Sequence, residues 1–236
     1  MVATADRPVA DAPARPPELW RVEGGTVRIT PHWGQRRALT SSRRFVWMLA
    51  GTQGGKTSLG PVWLEQEMDK RGEGDYLAVT STIPLLRLKM LPEFLRYFNR
   101  LGMGEWKAGE RYYAVTKKGH PANGSRVLFG SATNPESLES ATAKAAWLDE
   151  CGQDMFRLGA WEAIQRRLSL HQGRVLGTTT PYNLGWLKQQ VVDMWSAGDT
   201  THDVIQFESA SAANAIAPET STSWAACVSR PVSANE

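Results

Sequence analysis

The sequence predicts an α/β fold, with a mainly parallel central sheet and helices on both faces. Three observations carry the prediction. The apolar run Phe45-Val46-Trp47-Met48-Leu49 leads into Ala50-Gly51-Thr52-Gln53-Gly54-Gly55-Lys56-Thr57 and then into a helical stretch from Ser58 onward. A strand, a glycine loop ending in Gly-Lys-Thr and a helix make the context that a phosphate-binding loop requires. Further short apolar runs alternate with helical stretches, as in a sheet whose parallel strands are buried on both sides. The length of 236 residues holds one sizeable domain with its own core.

Strands are expected over residues 45–50, 76–80, 126–130, 145–148, 174–178 and 204–207. Residues 111–115 and 126–129 flank the turn-rich Lys117-Lys118-Gly119-His120-Pro121-Ala122-Asn123-Gly124-Ser125, which reads as a hairpin with a long loop. Leu85, Leu88, Leu91, Leu95 and Phe98 recur at helical spacing, so a helix is expected over residues 85–101 despite Pro92. Residues 161–170 and 184–195 are further expected helices. Pro61 falls early in the helix after the glycine loop, where it costs one backbone hydrogen bond. Residues 1–17 are rich in Ala and Pro, have no apolar signal-peptide core and are expected to be a disordered tail. Residues 18–208 are expected to form the domain. From Ser209 the chain turns Ala/Ser/Thr-rich and loses periodicity, so residues 209–236 are expected to be poorly ordered.

Composition narrows the function only a little. The net charge of +3 is too small to argue for nucleic-acid binding by itself. Two cysteines, Cys151 and Cys227, offer neither metal-ligand spacing nor a disulfide framework, so a reducing, intracellular compartment is expected. No apolar run reaches the roughly eighteen residues of a membrane span, and no membrane partner is expected. Ten tryptophans are scattered singly, as core and interface packing would have them.

The glycine loop sets the chemistry. Its glycines let backbone N–H groups turn inward onto phosphate oxygens, and the following helix adds the partial positive charge of its N-terminus. Lys56 is placed to reach β- and γ-phosphates and Thr57 to hold Mg²⁺ through its hydroxyl. Ala50 stands where the usual pattern has its first Gly, so Gly51 is expected to take over the first turn. Downstream, Ala145-Ala146-Trp147-Leu148-Asp149-Glu150 is an apolar strand ending in two carboxylates. Nucleotide hydrolysis needs one acid for the metal and often a second to activate water. Successive strand residues point to opposite faces, so dividing these roles between Asp149 and Glu150 requires the strand to end and bend there. A solvated Asp-Glu pair is the competing reading. Thr178-Thr179-Thr180 closes another short strand with hydroxyls, at the strand end where open α/β sheets bind ligands. Gln35 offers one donor group and one acceptor, enough to read an adenine edge, and also fits an ordinary surface glutamine.

In this order and spacing, the segments from about Pro31 to Phe207 resemble the large terminase subunit, the ATP-driven DNA-packaging motor of tailed bacteriophages. The resemblance implies a P-loop NTPase of the additional-strand (ASCE) type that uses ATP and Mg²⁺. Gly51, Thr52, Gln53, Gly54, Gly55, Lys56 and Thr57 resemble its Walker A loop, and Trp147-Leu148-Asp149-Glu150 its Walker B strand. The resemblance gives Asp149 to the metal and Glu150 to catalysis. Gly130-Ser131-Ala132-Thr133-Asn134-Pro135-Glu136-Ser137-Leu138 resembles the segment that precedes Walker B in these motors. Thr178, Thr179 and Thr180 resemble the coupling motif, and Gln35 the adenine-recognising glutamine.

Two departures stand out. Some relatives carry an arginine finger inside the Walker A loop where this chain has Thr52, so an arginine from elsewhere is expected, with Arg157, Arg166 and Arg167 as candidates. Complete large terminases continue into a nuclease with clustered carboxylates. After Phe207 the acids here are Glu208, Glu219 and Glu236, from which no two-metal site is assembled, so no nuclease activity is expected. The resemblance implies double-stranded DNA, a portal protein, a small terminase subunit and a homo-oligomeric ring on a procapsid as partners, in the cytoplasm of a bacterial host. The pairs Arg36/Arg37, Arg43/Arg44, Lys117/Lys118 and Arg166/Arg167 are candidates for phosphate contacts along DNA, or ordinary surface charge. Two other readings stay open: a helicase- or recombinase-like ATPase acting on DNA outside packaging, and a truncated relic that binds nucleotide without turning it over.

Overall fold

The computed structural model of the chain describes residues 18–134, 142–207 and 229–231. Their elements run β1 (Trp20–Glu23), β2 (Thr26–Ile29), α1 (Trp33–Thr40), β3 (Phe45–Ala50), α2 (Lys56–Arg71), β4 (Asp75–Thr80), α3 (Ile83–Leu85), a π-helical turn (Leu86–Met90) and α4 (Leu91–Arg100). There follow β5 (Gly104–Lys107), β6 (Tyr112–Val115), β7 (Arg126–Ser131), β8 (Ala143–Asp149), α5 (Leu158–Leu168) and β9 (Arg174–Thr179). A second π-helical turn (Lys188–Asp193), α6 (Met194–Ser196), β10 (His202–Phe207) and β11 (Ser229–Pro231) complete the order.

An eight-stranded sheet of order β10-β3-β9-β8-β4-β7-β6-β5 forms the centre. From β10 through β7 neighbouring strands run parallel, and β6 and β5 add an antiparallel edge. The expected hairpin is the β6–β7 pair, with Tyr113 opposite Val127. A small second sheet has the order β1-β2-β11. Its third strand, Ser229–Pro231, is the one described piece of the stretch expected to be irregular.

Strict alternation along the central strands builds a core on each face. Val46, Met48 and Ala50 of β3 join Trp147 of β8 on the side of α2 and α4. Phe45, Trp47 and Leu49 join Leu148 on the side of α5. Every residue of β3 is buried, as its unbroken apolar run requires. Helix α2 approaches the sheet at Gly60, where an added Cβ would lie 1.9 Å from the Trp147 ring. Only a residue without a side chain allows that approach. At the far end of α2, buried Glu67 pairs with Arg174 of β9 and with Arg71, at 2.9 Å from the Arg71 Nε.

Two helix expectations need correction. The single helix expected over residues 85–101 is interrupted by the π-helical turn, where the Leu91 N–H donates to the Leu86 carbonyl five residues back. Pro92 follows at once. A helical proline lacks a donor and its ring crowds the carbonyl four residues earlier, and a widened turn accommodates both. Residues 184–195 likewise form a π-helical turn followed by short α6 instead of one α-helix. Pro61 lies inside α2, and the helix continues through it.

Candidate nucleotide-binding site

The carboxyl ends of β3, β8 and β9 meet at one edge of the sheet, where the chain leaves each strand through one of the expected site segments. β3 passes into the loop Gly51–Gly55. Gly51 takes the first turn, donating its N–H to the Phe207 carbonyl at 3.1 Å and accepting from Gly54 N–H at 3.2 Å. Gln53 and Gly55 adopt left-handed conformations, with φ of 62° and 68°. Gly55 then caps α2 with no side-chain hydrogen bond to the helix, which leaves the first N–H groups of α2 facing the loop's concavity. Lys56 is 7 % exposed and folds back, donating to the carbonyls of Ala50 at 2.8 Å and Gly51 at 2.7 Å. Burial holds its ammonium below the ordinary lysine range, against the pull of Glu150 and Asp149, while the charge of Lys89 acts with burial.

Asp149 ends β8 opposite Thr178 of β9. Its carboxylate accepts from two hydroxyls of the expected site, Thr178 at 2.7 Å on Oδ1 and Thr57 at 3.0 Å on Oδ2. Asp149 is fully buried, and burial, joined by the Glu150 charge and opposed by the two hydroxyls and Lys56, raises its carboxyl to about 6. Glu150 has φ of 53°, a left-handed conformation in a residue with a Cβ. The strand thus ends and bends between the two acids. Asp149 turns into the structure while Glu150 lines the cavity. Such strain persists only where the surroundings impose it. Here Cys151 N–H donates to the Thr178 carbonyl at 3.2 Å and Gly152 N–H to the Thr179 hydroxyl at 3.1 Å, stitching the chain beyond Glu150 to β9.

A cavity of about 530 Å³ opens between Thr52–Ser58, Glu150 and Thr180 on one side and Leu88, Lys89, Pro92 and Glu93 on the other. A second, of about 610 Å³, lies against it and shares Thr52 and Thr180, with Gln206, Phe207, Pro181 and the exposed Tyr182 among its walls. The three threonines of the expected coupling motif therefore do different things. Thr178 holds Asp149, Thr179 holds the backbone after Glu150, and Thr180 faces the cavity.

Gln35 is buried at 3 % exposure and lines neither cavity. Its amide donates to the Gly55 carbonyl at 3.1 Å and accepts from the His32 N–H at 3.2 Å. In the structure it braces the loop from beneath. His32, which the sequence reading did not single out, does the same. Its Nδ1 accepts from Gly34 and Gln35 N–H groups at the start of α1, and its Nε2 lies 3.1 Å from the Gly54 carbonyl. A ring that accepts at Nδ1 carries its proton at Nε2, so it donates to Gly54. The signal in the sequence is a side-chain acceptor three residues before a Gln, the pattern of a capping box.

The arginines expected as fingers separate by position. Arg157 precedes α5 at the edge carrying the site. Arg166 and Arg167 occupy the last turn of α5, which returns the chain to the opposite edge of the sheet. In several of the basic pairs one member is held by the fold: Arg37 by Asp203 at 2.6 Å, Arg44 by the Gly173 carbonyl and Lys117 by the Leu101 carbonyl. Residues 135–138 of the segment expected before Walker B lie outside the described residues.

A cluster of Glu65, Asp69 and His120 lies on the far part of α2, with His120 Nε2 2.9 Å from Asp69. The His120 Nδ1 accepts from the Ala122 N–H at 3.1 Å, which puts the ring proton on Nε2, facing the carboxylates. The cluster is a clasp between α2 and the β6–β7 loop, with its imidazole in the wrong tautomer for a metal ligand.

Comparison with solved structures gives the ATPase domain of the large terminase from Thermus phage P74-26, at TM-score 0.59 and 22% identity, over 77% of this chain and 81% of that one. A point mutant of the same domain matches at TM-score 0.60 and 20% identity, over 76% and 82%. The fold is that of a large-terminase ATPase domain. The large terminase of the thermophilic bacteriophage D6E, solved in complex with ADP, matches at TM-score 0.61 and 16% identity, over 80% of this chain and 48% of that one. This chain thus spans about half the length of the D6E terminase. No protein-family model matches the chain, and a search of curated proteins finds no match. Among the described residues no helix is long and apolar enough to cross a membrane.

Proposed function

We propose that the chain is the ATP-hydrolysing motor domain of a phage large terminase, which drives double-stranded DNA through a portal into a procapsid. It would act as a ring of copies, with a small terminase subunit delivering the DNA. The observation that carries the reading is the meeting of Lys56, Thr57, Asp149, Glu150 and Thr180 at one sheet edge, in a chain with the terminase ATPase fold. The phosphates occupy the first cavity, against the N–H groups of the loop and of α2. The nucleoside occupies the second, where the Phe207 ring offers a stacking face and the Gln206 amide a donor and an acceptor.

Thr57 and Asp149 fit a magnesium ion. Both present hard oxygen atoms, 3.0 Å apart, beside the phosphate cavity. Thr57 and Asp149 would hold the ion, and it would supply positive charge to offset the charge that develops on the transferred phosphoryl group. Glu150 orients the attacking water and accepts its proton. Lys56 exchanges the carbonyls of Ala50 and Gly51 for β- and γ-phosphate oxygens. Thr178 and Thr179 connect any shift of Asp149 or Gly152 to β9, and Thr180 meets the γ-phosphate end of the cavity.

ATP turnover measured with and without duplex DNA and portal-bearing procapsids tests the reading. Turnover lost in Lys56→Ala, and stimulated by procapsids together with DNA, is the expected result. Stimulation by DNA alone would place the ATPase outside packaging, and absence of nucleotide binding would remove the enzyme reading.

A further inference from the structure

Lys89 lines the phosphate cavity from the side opposite the Walker A loop. It belongs to the π-helical turn that precedes α4. Leu86 and Met90 anchor that turn, at 6 % and 1 % exposure, while Arg87, Leu88 and Lys89 between them are exposed. An extra residue in a helical turn redirects the side chains it carries, and such turns recur at functional sites. Here the redirected segment forms one wall of the cavity, and Leu88, 77 % exposed, stands beside Lys89 with no core to fill.

Two of the charged side chains that line the cavity with Lys89 are held by other groups. Lys56 donates to two loop carbonyls. Glu93, on the same wall, accepts from Arg96 at 2.7 Å. Among the described residues Lys89 has no hydrogen-bond or ion-pair partner, and no arginine lines the cavity. Its charge nonetheless reaches Lys56 across the cavity. Two ammonium groups that repel across a space lined by backbone N–H groups make a site for a multiply charged anion.

We propose that Lys89 is the cation this chain places on the γ-phosphate within the same subunit, on the wall facing the loop, where Thr52 leaves the Walker A loop without a finger. The proposal rests on the reading of the cavity as an ATP site. Lys89 lines the same cavity as Glu150 and Thr180, the two residues that the proposed function places beside the γ-phosphate and the attacking water. An ammonium there pairs with charge that ATP has and ADP lacks. It therefore acts on ATP affinity and on turnover and leaves ADP affinity alone. An arginine contributed by a neighbouring copy would add to this term without replacing it.

The test compares Lys89→Ala and Lys89→Arg with the wild-type chain. Dissociation constants are measured for ADP and for a non-hydrolysable ATP analogue, both with Mg²⁺, together with kcat. For Lys89→Ala the expected result is an analogue affinity lower by about tenfold, unchanged ADP affinity and kcat lower by about 10²-fold, below the 10³–10⁵ of a full arginine finger. Lys89→Arg keeps the charge and should keep the analogue-to-ADP ratio. Because Lys89 is exposed, thermal unfolding should be unchanged in both variants. Wild-type binding and turnover with Lys89→Ala indistinguishable from it, or with both affinities reduced equally, overturns the assignment of Lys89 alone. A wild-type chain that binds neither nucleotide overturns the ATP site and Lys89 with it.

Discussion

The Thr57 hydroxyl and the Asp149 carboxylate, 92 positions apart in sequence, meet at 3.0 Å. This contact joins the start of α2 to the end of β8 and brings the two parts of the motif into one site. Asp149 is also held by Thr178 at 2.7 Å, so its position is fixed before any ligand arrives.

That contact predicts a pH dependence. The Asp149 carboxyl sits at about 6 in the fold, above its ordinary value of 3.8, because burial disfavours the charge. The folded state binds the proton more tightly than the unfolded one, so the stability cost of ionising Asp149 is complete above pH 6 and fades as pH falls towards 3.8. Asp149→Asn should therefore raise the melting temperature of the ligand-free chain at pH 7.5, with a gain that shrinks towards pH 4.5. If Asp149 holds Mg²⁺ as proposed, protons compete with the metal for this carboxylate. The Mg²⁺ concentration needed for half-maximal turnover should rise as pH drops below 6, and a flat profile would remove Asp149 from the metal site.

Glu150 predicts a trade between stability and activity. Its left-handed backbone costs a residue with a Cβ roughly 1–2 kcal/mol. Glu150→Gly should raise stability by about 1 kcal/mol in chemical denaturation while turnover is lost. Glu150→Gln should keep the parent's stability and bind ATP without hydrolysing it. Hydrolysis by Glu150→Gln at the parent rate would show that Glu150 does not activate water.

His32 predicts a stability effect of the opposite pH sign from an ordinary histidine ion pair. Burial lowers its basicity below the usual 6.5, although the Gly54 carbonyl opposes this. The neutral ring is the form that caps α1, so its contribution is present above pH 6.5 and is lost as pH falls through the lowered value in the fold. His32→Ala should cost about 1–2 kcal/mol at pH 7.5, from the cap and the loop bond together. The cost should diminish in acid. ADP affinity should also fall, since the Gly54 carbonyl loses its tether.

Gly60 predicts a clash. Alanine is ordinarily the better helix former by about 1 kcal/mol, but a Cβ here would lie 1.9 Å from Trp147. Overpacking outweighs propensity, and Gly60→Ala should destabilise by about 3 kcal/mol or more. Combining it with Trp147→Leu should recover part of the loss. Additive losses in the double variant would mean that the two residues do not collide.

Local pattern was enough to read the central strands, because their apolar runs are unbroken and their ends carry the chemistry. The run from Phe45 to Ala50 coincides with β3 residue for residue, and β10 begins two residues before its expected start. The glycine loop and the Asp149-Glu150 pair were legible for the same reason. Phosphate binding and metal binding each demand particular residue types at a strand end. Less legible were β1, β2 and β5, whose four-residue runs carry too little periodicity to stand out. The π-helical turn before α4 was hidden because Leu85, Leu88 and Leu91 keep helical spacing up to the proline that follows. Tertiary structure alone decided which groups share a space. It drew Gln35 under the loop, gave Thr178 to Asp149, Thr179 to the Gly152 N–H and Thr180 to the cavity wall, and brought Lys89 to the same cavity as Lys56. Residue type determines what each side chain can do. Which atoms face one another depends on the strand order, and that order is set by burying both faces of the sheet at once.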